Sequence, residues 1–324
     1  MNDSLRILIG YDGSACAESA LDDLKLAGLP EHAEVQILSV AERWLPPPPP
    51  PGYEIIEEAK HVNVPADLLH VYTKDCKESK ALLGIAQQAC ERVQTKFPGW
   101  KVTAHSRCGS PSSELLYQAQ QWKPDLIVVG SQGRTALGRF VLGSVSQRVL
   151  SEAPCSVRVA RGRIEEPNTP VKIIVGIDGS EASDGAVRAV AERNWPAGSE
   201  VILIAADELL FPEFLHVIPV MGKMIEEDKQ WEREWAGKIS ARAVELLKNT
   251  SLKVKVELRQ GDPKQELPKA ADEMRADCIF VGSVGFNNRF QRFVLGSVSA
   301  AVAARAHCSV EVVRIRSSQI SLAT

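Results

Sequence analysis

One stretch of eight residues occurs twice in this chain, and a chain that repeats itself folds as repeated units. Arg139-Phe-Val-Leu-Gly-Ser-Val-Ser146 is identical to Arg292-Phe-Val-Leu-Gly-Ser-Val-Ser299. Each copy closes a glycine-spaced loop. The first reads Gly130-Ser-Gln-Gly133, nine residues, then Gly143-Ser144; the second reads Gly282-Ser-Val-Gly285, ten residues, then Gly296-Ser297. Each loop follows a short apolar run, Asp125-Leu-Ile-Val-Val and Asp277-Cys-Ile-Phe-Val. A glycine-rich turn leaving a buried strand brings backbone N–H groups close to an anion, so both loops are candidate phosphate cradles.

Other segments pair as well. Arg6-Ile-Leu-Ile-Gly-Tyr-Asp-Gly-Ser14 matches Lys172-Ile-Ile-Val-Gly-Ile-Asp-Gly-Ser180, an offset of 166 residues. The offset falls to 152 from Lys101 and Lys253 onward, which puts a 14-residue excess between the second and third strands of the first repeat. It rises to 153 at Cys155-Ser-Val-Arg-Val and Cys308-Ser-Val-Glu-Val, because the second glycine loop holds one extra residue. The expected units are residues 1–162 and 170–316, joined by a proline-bearing linker. Units of this length bury about 70% of their unfolded surface, enough for a core each.

Composition narrows the function classes. The net charge of −3 gives no electrostatic reason to expect a nucleic-acid partner. No apolar run reaches the length of a membrane span, and Asp3, Arg6 and Asp12 come too early for a signal peptide. Seven scattered cysteines without a C-x-x-C pair read as reduced thiols in a cytoplasmic protein, and the six histidines show no ligand spacing. No metal site is expected.

Within each repeat, strands and helices alternate. Arg6–Gly10 is an apolar run that stops at Asp12-Gly13-Ser14, and Ser14 is placed to cap a helix bearing Ala17, Leu21 and Leu24. Strand two is Val35–Val40. A helix with Leu82, Ile85, Ala89 and Val93 leads to strand three near Val102. A helix with Leu115, Leu116 and Ala119 then leads to strand four at Leu126–Val129, a helix begins at Ser144, and strand five is Val157–Ala160. The second repeat follows the same order, with a charged helix at about Ile225–Leu247 that includes Trp231 and Trp235. This alternation predicts an α/β fold with a parallel sheet and helices on both faces. With strand order 3-2-1-4-5, a ligand crevice opens beyond the carboxyl ends of strands one and four, between Asp12 and Gly130. The second copy sets Asp178 beside Gly282.

Neither a Walker A loop nor G-x-G-x-x-G is present. The set Asp12-Gly13-Ser14, Gly130-Ser-Gln-Gly133-Arg134, Gly143-Ser-Val-Ser146 and Ala153-Pro-Cys-Ser156 closely resembles the universal stress protein family. The likeness spans both repeats apart from the proline-rich insert and the last few residues. It implies two tandem domains of the adenine nucleotide alpha hydrolase-like type, binding ATP with Mg2+. Carried residue by residue, Asp12 and the backbone of Val40 hold adenine and Gly130 lies against ribose. Gly133, Arg134, Gly143, Ser144, Val145 and Ser146 meet the phosphates. The second set is Asp178, Ala206, Gly282, Gly285, Gly296, Ser297, Val298 and Ser299.

Each of these residues also has a purely structural alternative. Asp12 suits an Asx turn, Ser144 with Gln147 reads as a capping box, the glycines serve tight turns, and Arg134 suits a solvated surface. Glycine at 133 and 143 is expected to supply φ > 0 as well as room. In the second loop the extra Phe286, Asn287 in place of Arg134 and Ala300 in place of Gln147 predict weaker binding. No Ser-His-Asp order, carboxylate pair or loop lysine is visible, which favours a binder or switch over an enzyme. The alternatives are a nucleotide-free scaffold and an ATP-cleaving enzyme of the related pyrophosphatase group, whose S-G-G-x-D-S loop is missing. Pro46–Pro51 forms a stiff segment after strand two, a docking epitope or a rigid loop.

Assembly follows from edges. Val157–Ala160 and Val310–Val313 are expected to end their sheets with unpaired backbone groups, and the resemblance implies dimerisation there. Pairing of the two repeats within one chain is therefore expected, with a homodimer through exchange as the alternative. A ten-residue linker spans about 33 Å and permits either.

Overall fold

The computed structural model describes residues 4–42, 66–133, 142–161, 169–207, 237–284 and 295–315, with the backbone alone for 66–80. Arg134, Gly285, Phe286, Asn287, Pro46–Pro51, Trp231, Trp235 and most of the linker lie outside the described residues.

Repeat one runs β1 (Leu5–Gly10), α1 (Ala15–Asp23), a 3-10 turn (Leu24–Ala27), β2 (Ala33–Glu42), α2 (Ala66–Lys96) and β3 (Lys101–Gly109). It continues with α3 (Pro111–Trp122), β4 (Leu126–Gly130), α4 (Ser144–Glu152) and β5 (Ser156–Ala160). Repeat two runs β6 (Lys172–Gly176), α5 (Glu181–Ala191), β7 (Glu200–Asp207), α6 (237–247), β8 (Lys253–Gln260) and α7 (Pro263–Met274). It ends with β9 (Cys278–Gly282), α8 (Ser297–Arg305) and β10 (Ser309–Val313).

The helix starts follow their chemistry. Ser14 Oγ accepts from the Ala17 N–H at 3.2 Å, and Ser180 Oγ from the Ser183 N–H at 3.1 Å. Both serines cap orphan donors that the first turn leaves behind. Leu24, expected on the helix, instead opens the 3-10 turn.

The ten strands among the described residues form one sheet in the order β3-β2-β1-β4-β5-β10-β9-β6-β7-β8, so each repeat has the expected 3-2-1-4-5 order. Within a repeat every pairing is parallel. The repeats meet through an antiparallel pairing of β5 and β10, with Val159 opposite Val310, Arg158 opposite Glu311 and Val157 opposite Val312. Neither strand is left as an edge, as pairing within one chain requires.

Period-two alternation then divides the junction between two faces. Val157, Val159, Val310 and Val312 are fully buried in one apolar core that runs unbroken across both repeats under α3, α4, α7 and α8. Each such valine stabilises the junction by about 1.5–3 kcal/mol relative to exposure. On the opposite face there are two cores, one built on Ile7, Ile9, Leu21 and Val128 and the other on Ile173, Val175, Val187 and Phe280. Arg158 and Glu311 point to that face.

Candidate functional site

Because β1 and β4 are neighbours and their connections leave in different directions, a crevice opens at their carboxyl ends. In repeat one it is a cleft of about 840 Å³, lined by Asp12, Val40, Gly130, Gly133, Gly143, Ser144, Val145 and Ser146. Every repeat-one residue assigned a nucleotide role, apart from Arg134, which is not described, therefore faces one space. An apolar part of its wall comes from Leu38 and Ala41 of β2, Leu82 and Ile85 of α2, and Pro111 and Leu115 of α3.

The floor is built by strand ends. β1 and β2 stay paired past Gly10, with the Tyr11 N–H donating to Leu38 O at 3.0 Å and Ser39 Oγ donating to Tyr11 O at 2.7 Å. Asp12 follows at the lip. Its Oδ1 accepts from the Ser14 N–H at 2.9 Å, so the Asx turn forms, and Gly13 takes φ 75° to complete it. The second carboxylate oxygen faces Gly133, where an added Cβ would stand 3.3 Å from it. Turn-making and facing the cleft are thus compatible for Asp12.

Gly130 ends β4 where α1 crosses closely, and a Cβ there would meet Cys16 O at 3.0 Å. Gly143 donates its N–H to Ser131 O at 2.9 Å, which ties the two ends of the glycine loop together. The expectation of φ > 0 at these glycines is not met. Gly143 has φ −64° and Gly133 lies outside the positive-φ set, so what both provide is space. The capping-box expectation also fails. Gly143 is the N-cap residue, without a side-chain cap bond, and Ser144 is already helical. Its hydroxyl is not needed to start the helix, because Gly143 O accepts from Gln147 N at 2.9 Å. The N–H groups of Ser144, Val145 and Ser146 precede that first intrahelical bond, at the positive end of the α4 dipole. Ser146 Oγ donates to Gly130 O at 2.6 Å and locks α4 onto the end of β4.

Tyr11, Glu42, Gln132 and Leu142 also line the cleft and were assigned no role from the sequence. The repeated segments could have found Tyr11, Gln132 and Leu142, since all three lie inside them; Glu42 carried no such signal. Burial pushes the Tyr11 phenol above its ordinary pKa, with the Arg92 charge working against the shift; its hydroxyl donates to Glu18.

Repeat two rebuilds the same frame. Asp178 Oδ1 accepts from Ser180 N at 2.9 Å, Gly179 takes φ 76°, and the Ile177 N–H donates to Ile204 O at 2.9 Å. Gly296 caps α8 and donates to Ser283 O at 2.6 Å, and Ser299 Oγ donates to Gly282 O at 2.6 Å. Ser297 and Val298 open α8, and Ala206 lies near the end of β7. The helix after the first strand sits tighter here, because a Cβ on Gly282 would meet Ala182 C at 2.6 Å.

With this geometry in place, comparison with known proteins is direct. The model of the universal stress protein family matches residues 4–161 and again 171–314. The chain is a tandem member of the universal stress protein family. A universal stress protein of Thermus aquaticus is 33% identical over 159 residues, covering 48% of this chain and 97% of that protein. One from Methanocaldococcus jannaschii is 38% identical over 85 residues, 26% of this chain and half the length of that relative. The crystal structure of a universal stress protein from Archaeoglobus fulgidus aligns with a TM-score of 0.59 at 20% identity, covering 95% of this chain and 98% of that one, a likeness of fold. Among the described residues no helix is long and apolar enough to cross a membrane.

Proposed function

We propose that repeat one is an adenine-nucleotide site, taking ATP with Mg2+, and that the chain works in cytoplasmic stress adaptation as a nucleotide-dependent binder or switch. The observation that carries this reading is the convergence of Asp12, Gly130, Gly133 and the first turn of α4 on one cleft. An apolar wall from β2 and α2 suits a purine, a carboxylate acceptor suits its exocyclic amine, and the α4 terminus suits phosphate. The residues fit the group. Asp12 and Val40 would hold adenine, Gly130 the ribose, and Gly133, Gly143, Ser144, Val145 and Ser146 the phosphates, with Arg134 as a further phosphate contact. Mg2+ would be held mainly by phosphate oxygens and water. The units assigned are residues 1–162 and 170–316.

A nucleotide-free scaffold is the rival reading. It draws on the Asx turn at Asp12 and the Ser146–Gly130 bond, which form without a ligand. Heat release and chromatography of what co-purifies with the full chain separates the two. Bound adenine nucleotide, and ATP affinity lowered at least tenfold by Gly133→Ala with Gly143→Ala, is expected. A tenfold loss corresponds to about 1.4 kcal/mol. The double variant should still fold, since Gly143 has φ −64° and its Cβ would clear Gln132 Cα at 3.4 Å. Unchanged affinity, in a background with Gly296→Ala disabling repeat two, overturns the assignment.

A further inference from the structure

The dyad between the repeats is crossed by four ionic side chains whose order matters. Arg158 Nε and Nη2 donate to Asp23 at 2.6 and 3.2 Å, and Arg158 Nη1 donates to Glu311 Oε2 at 3.4 Å. Arg193 in turn grips Glu311, with Nη1 donating to Oε2 at 2.9 Å. Asp23 and Arg158 are 0% exposed and Glu311 is 1%. Along the line the charges alternate: minus, plus, minus, plus.

Positions 158 and 311 are the same position in the two repeats, and they face each other in the β5–β10 register. Each repeat brings one charge to the centre and one flanking counter-charge, Asp23 in the first and Arg193 in the second. The matching positions are Ala189 and Ala27. A like pairing would therefore read minus, plus, plus, minus for two copies of repeat one, or plus, minus, minus, plus for two copies of repeat two. Like charges would meet at the buried centre, where water does not screen them.

Contacts made by equivalent residues do not discriminate, unlike those of Ser309 Oγ to Asp23 Oδ1 at 2.6 Å and Arg193 Nη1 to Ala27 O at 2.8 Å, whose Asp23 and Arg193 each occur in one repeat only. Arg161 Nη2 donates to Ala303 O at 2.6 Å, and Arg314 Nη2 donates to Leu150 O at 2.6 Å, by equivalent residues on equivalent helices. Ser309 Oγ receives the Arg161 N–H at 2.8 Å, and Ser156 Oγ the Arg314 N–H at 3.1 Å. The valines are shared too. All of these would form in a like pair.

We infer that the β5–β10 junction is a charge-coded interface that accepts only the unlike repeat, whether of the same chain or of a second copy of it. The shared valines and arginines supply adhesion, and the Arg158–Glu311 contact supplies the choice. A like-repeat homodimer, open to a strand edge that is symmetric in charge, is closed to this one.

The test uses full-length variants singly and mixed. Arg158→Glu alone sets a second carboxylate opposite Glu311, and Glu311→Arg alone sets a second guanidinium opposite Arg158. Each should lose amide-exchange protection in β5 and β10 at least tenfold while β1 and β6 stay protected. Mixed in equal amounts, they can exchange repeats so that one junction regains the native Arg158–Glu311 pair, while the other becomes opposite in charge at its centre but keeps like charges at its flanks beside Asp23 and Arg193. Native mass spectrometry should then show a 1:1 heterodimer of two chains that neither variant forms alone, with protection regained in the strands that carry the native Arg158 and the native Glu311. A packing defect would give the loss without the rescue. Full protection in both single variants, or no more dimer in the mixture than in either alone, overturns the inference. Should either variant fail to fold, Glu311→Gln keeps the shape and removes the charge. Loss of β5 and β10 protection in that variant, where no like charges meet, would equally overturn it.

Discussion

Repeats one and two share strand order, turn geometry and an identical helix-opening octapeptide, yet their crevices are not the same. At the end of β4 an added Cβ would stand 3.0 Å from the nearest atom of α1; at the end of β9 it would stand 2.6 Å from α5. The flank differs as well. Tyr11, Glu18 and Arg92 form a polar cluster beside the first cleft, whereas Ile177 replaces the tyrosine in the second and Asp184 pairs with Arg242 at 2.5 Å. Identity of the glycine-loop motif therefore does not make two equal crevices. The differences enter from the first helix and its neighbours, where the repeats have diverged in side-chain size and polarity.

The largest effect should come at the junction, where the two repeats contribute unequally buried charges. Arg158→Ala leaves Asp23 and Glu311 facing each other in the interior and should cost about 3–5 kcal/mol. Glu311→Ala should cost less, because Arg158 keeps Asp23 and the partly exposed Arg193 can reach water. Chemical denaturation of both variants measures the ranking, and the reverse order would refute it.

Next in size is the glycine that ends the fourth strand of each repeat. Gly282→Ala should destabilise by about 1–3 kcal/mol through overpacking against Ala182 backbone, and Gly130→Ala by less. Thermal melting of the two variants decides it. Equal shifts would mean that α5 relaxes away and that the tighter approach carries no energy.

Titration with ATP sharpens the same contrast at about 1.4 kcal/mol or more. Calorimetry should show one tight site, or two separated by at least tenfold, with the tighter lost in Gly133→Ala/Gly143→Ala. Two equal sites would mean that the altered second loop is without consequence for binding.

The smallest effect concerns Asp184. Burial raises its pKa, and Arg242 and Arg188 oppose the shift. A carboxyl whose folded pKa is raised contributes stability that is present below its unfolded pKa and lost as pH rises through the folded value. Asp184→Asn should therefore gain on the wild type as pH rises upward from the ordinary carboxylate range. Denaturation midpoints across that window measure the difference, and a constant gap would show that the ion pair with Arg242 cancels the burial.

Much of this architecture was legible in the residues. The offsets between copies exposed the duplication, apolar runs and i, i+3, i+4 spacing located the elements, and Ser14 and Ser180 marked the helix starts. Those signals are local, so the physics that produces them acts within a few positions along the chain. The facing of Asp12 and Gly130 followed from strand order, because a switch in connection direction leaves a crevice whatever side chains surround it.

Other features needed the assembled molecule. That Gly143 rather than Ser144 caps α4 depends on the loop bond to Ser131, and that Leu82, Ile85 and Pro111 complete the cleft depends on how α2 and α3 settle on the sheet. The charge line Asp23–Arg158–Glu311–Arg193 was the least legible, since its contacts join residues 118 to 153 positions apart. By itself the sequence determined two like units and the strands by which they could meet. Only the tertiary structure decided which side chains share the dyad, because register between distant strands is chosen by packing both faces at once and not by any local preference.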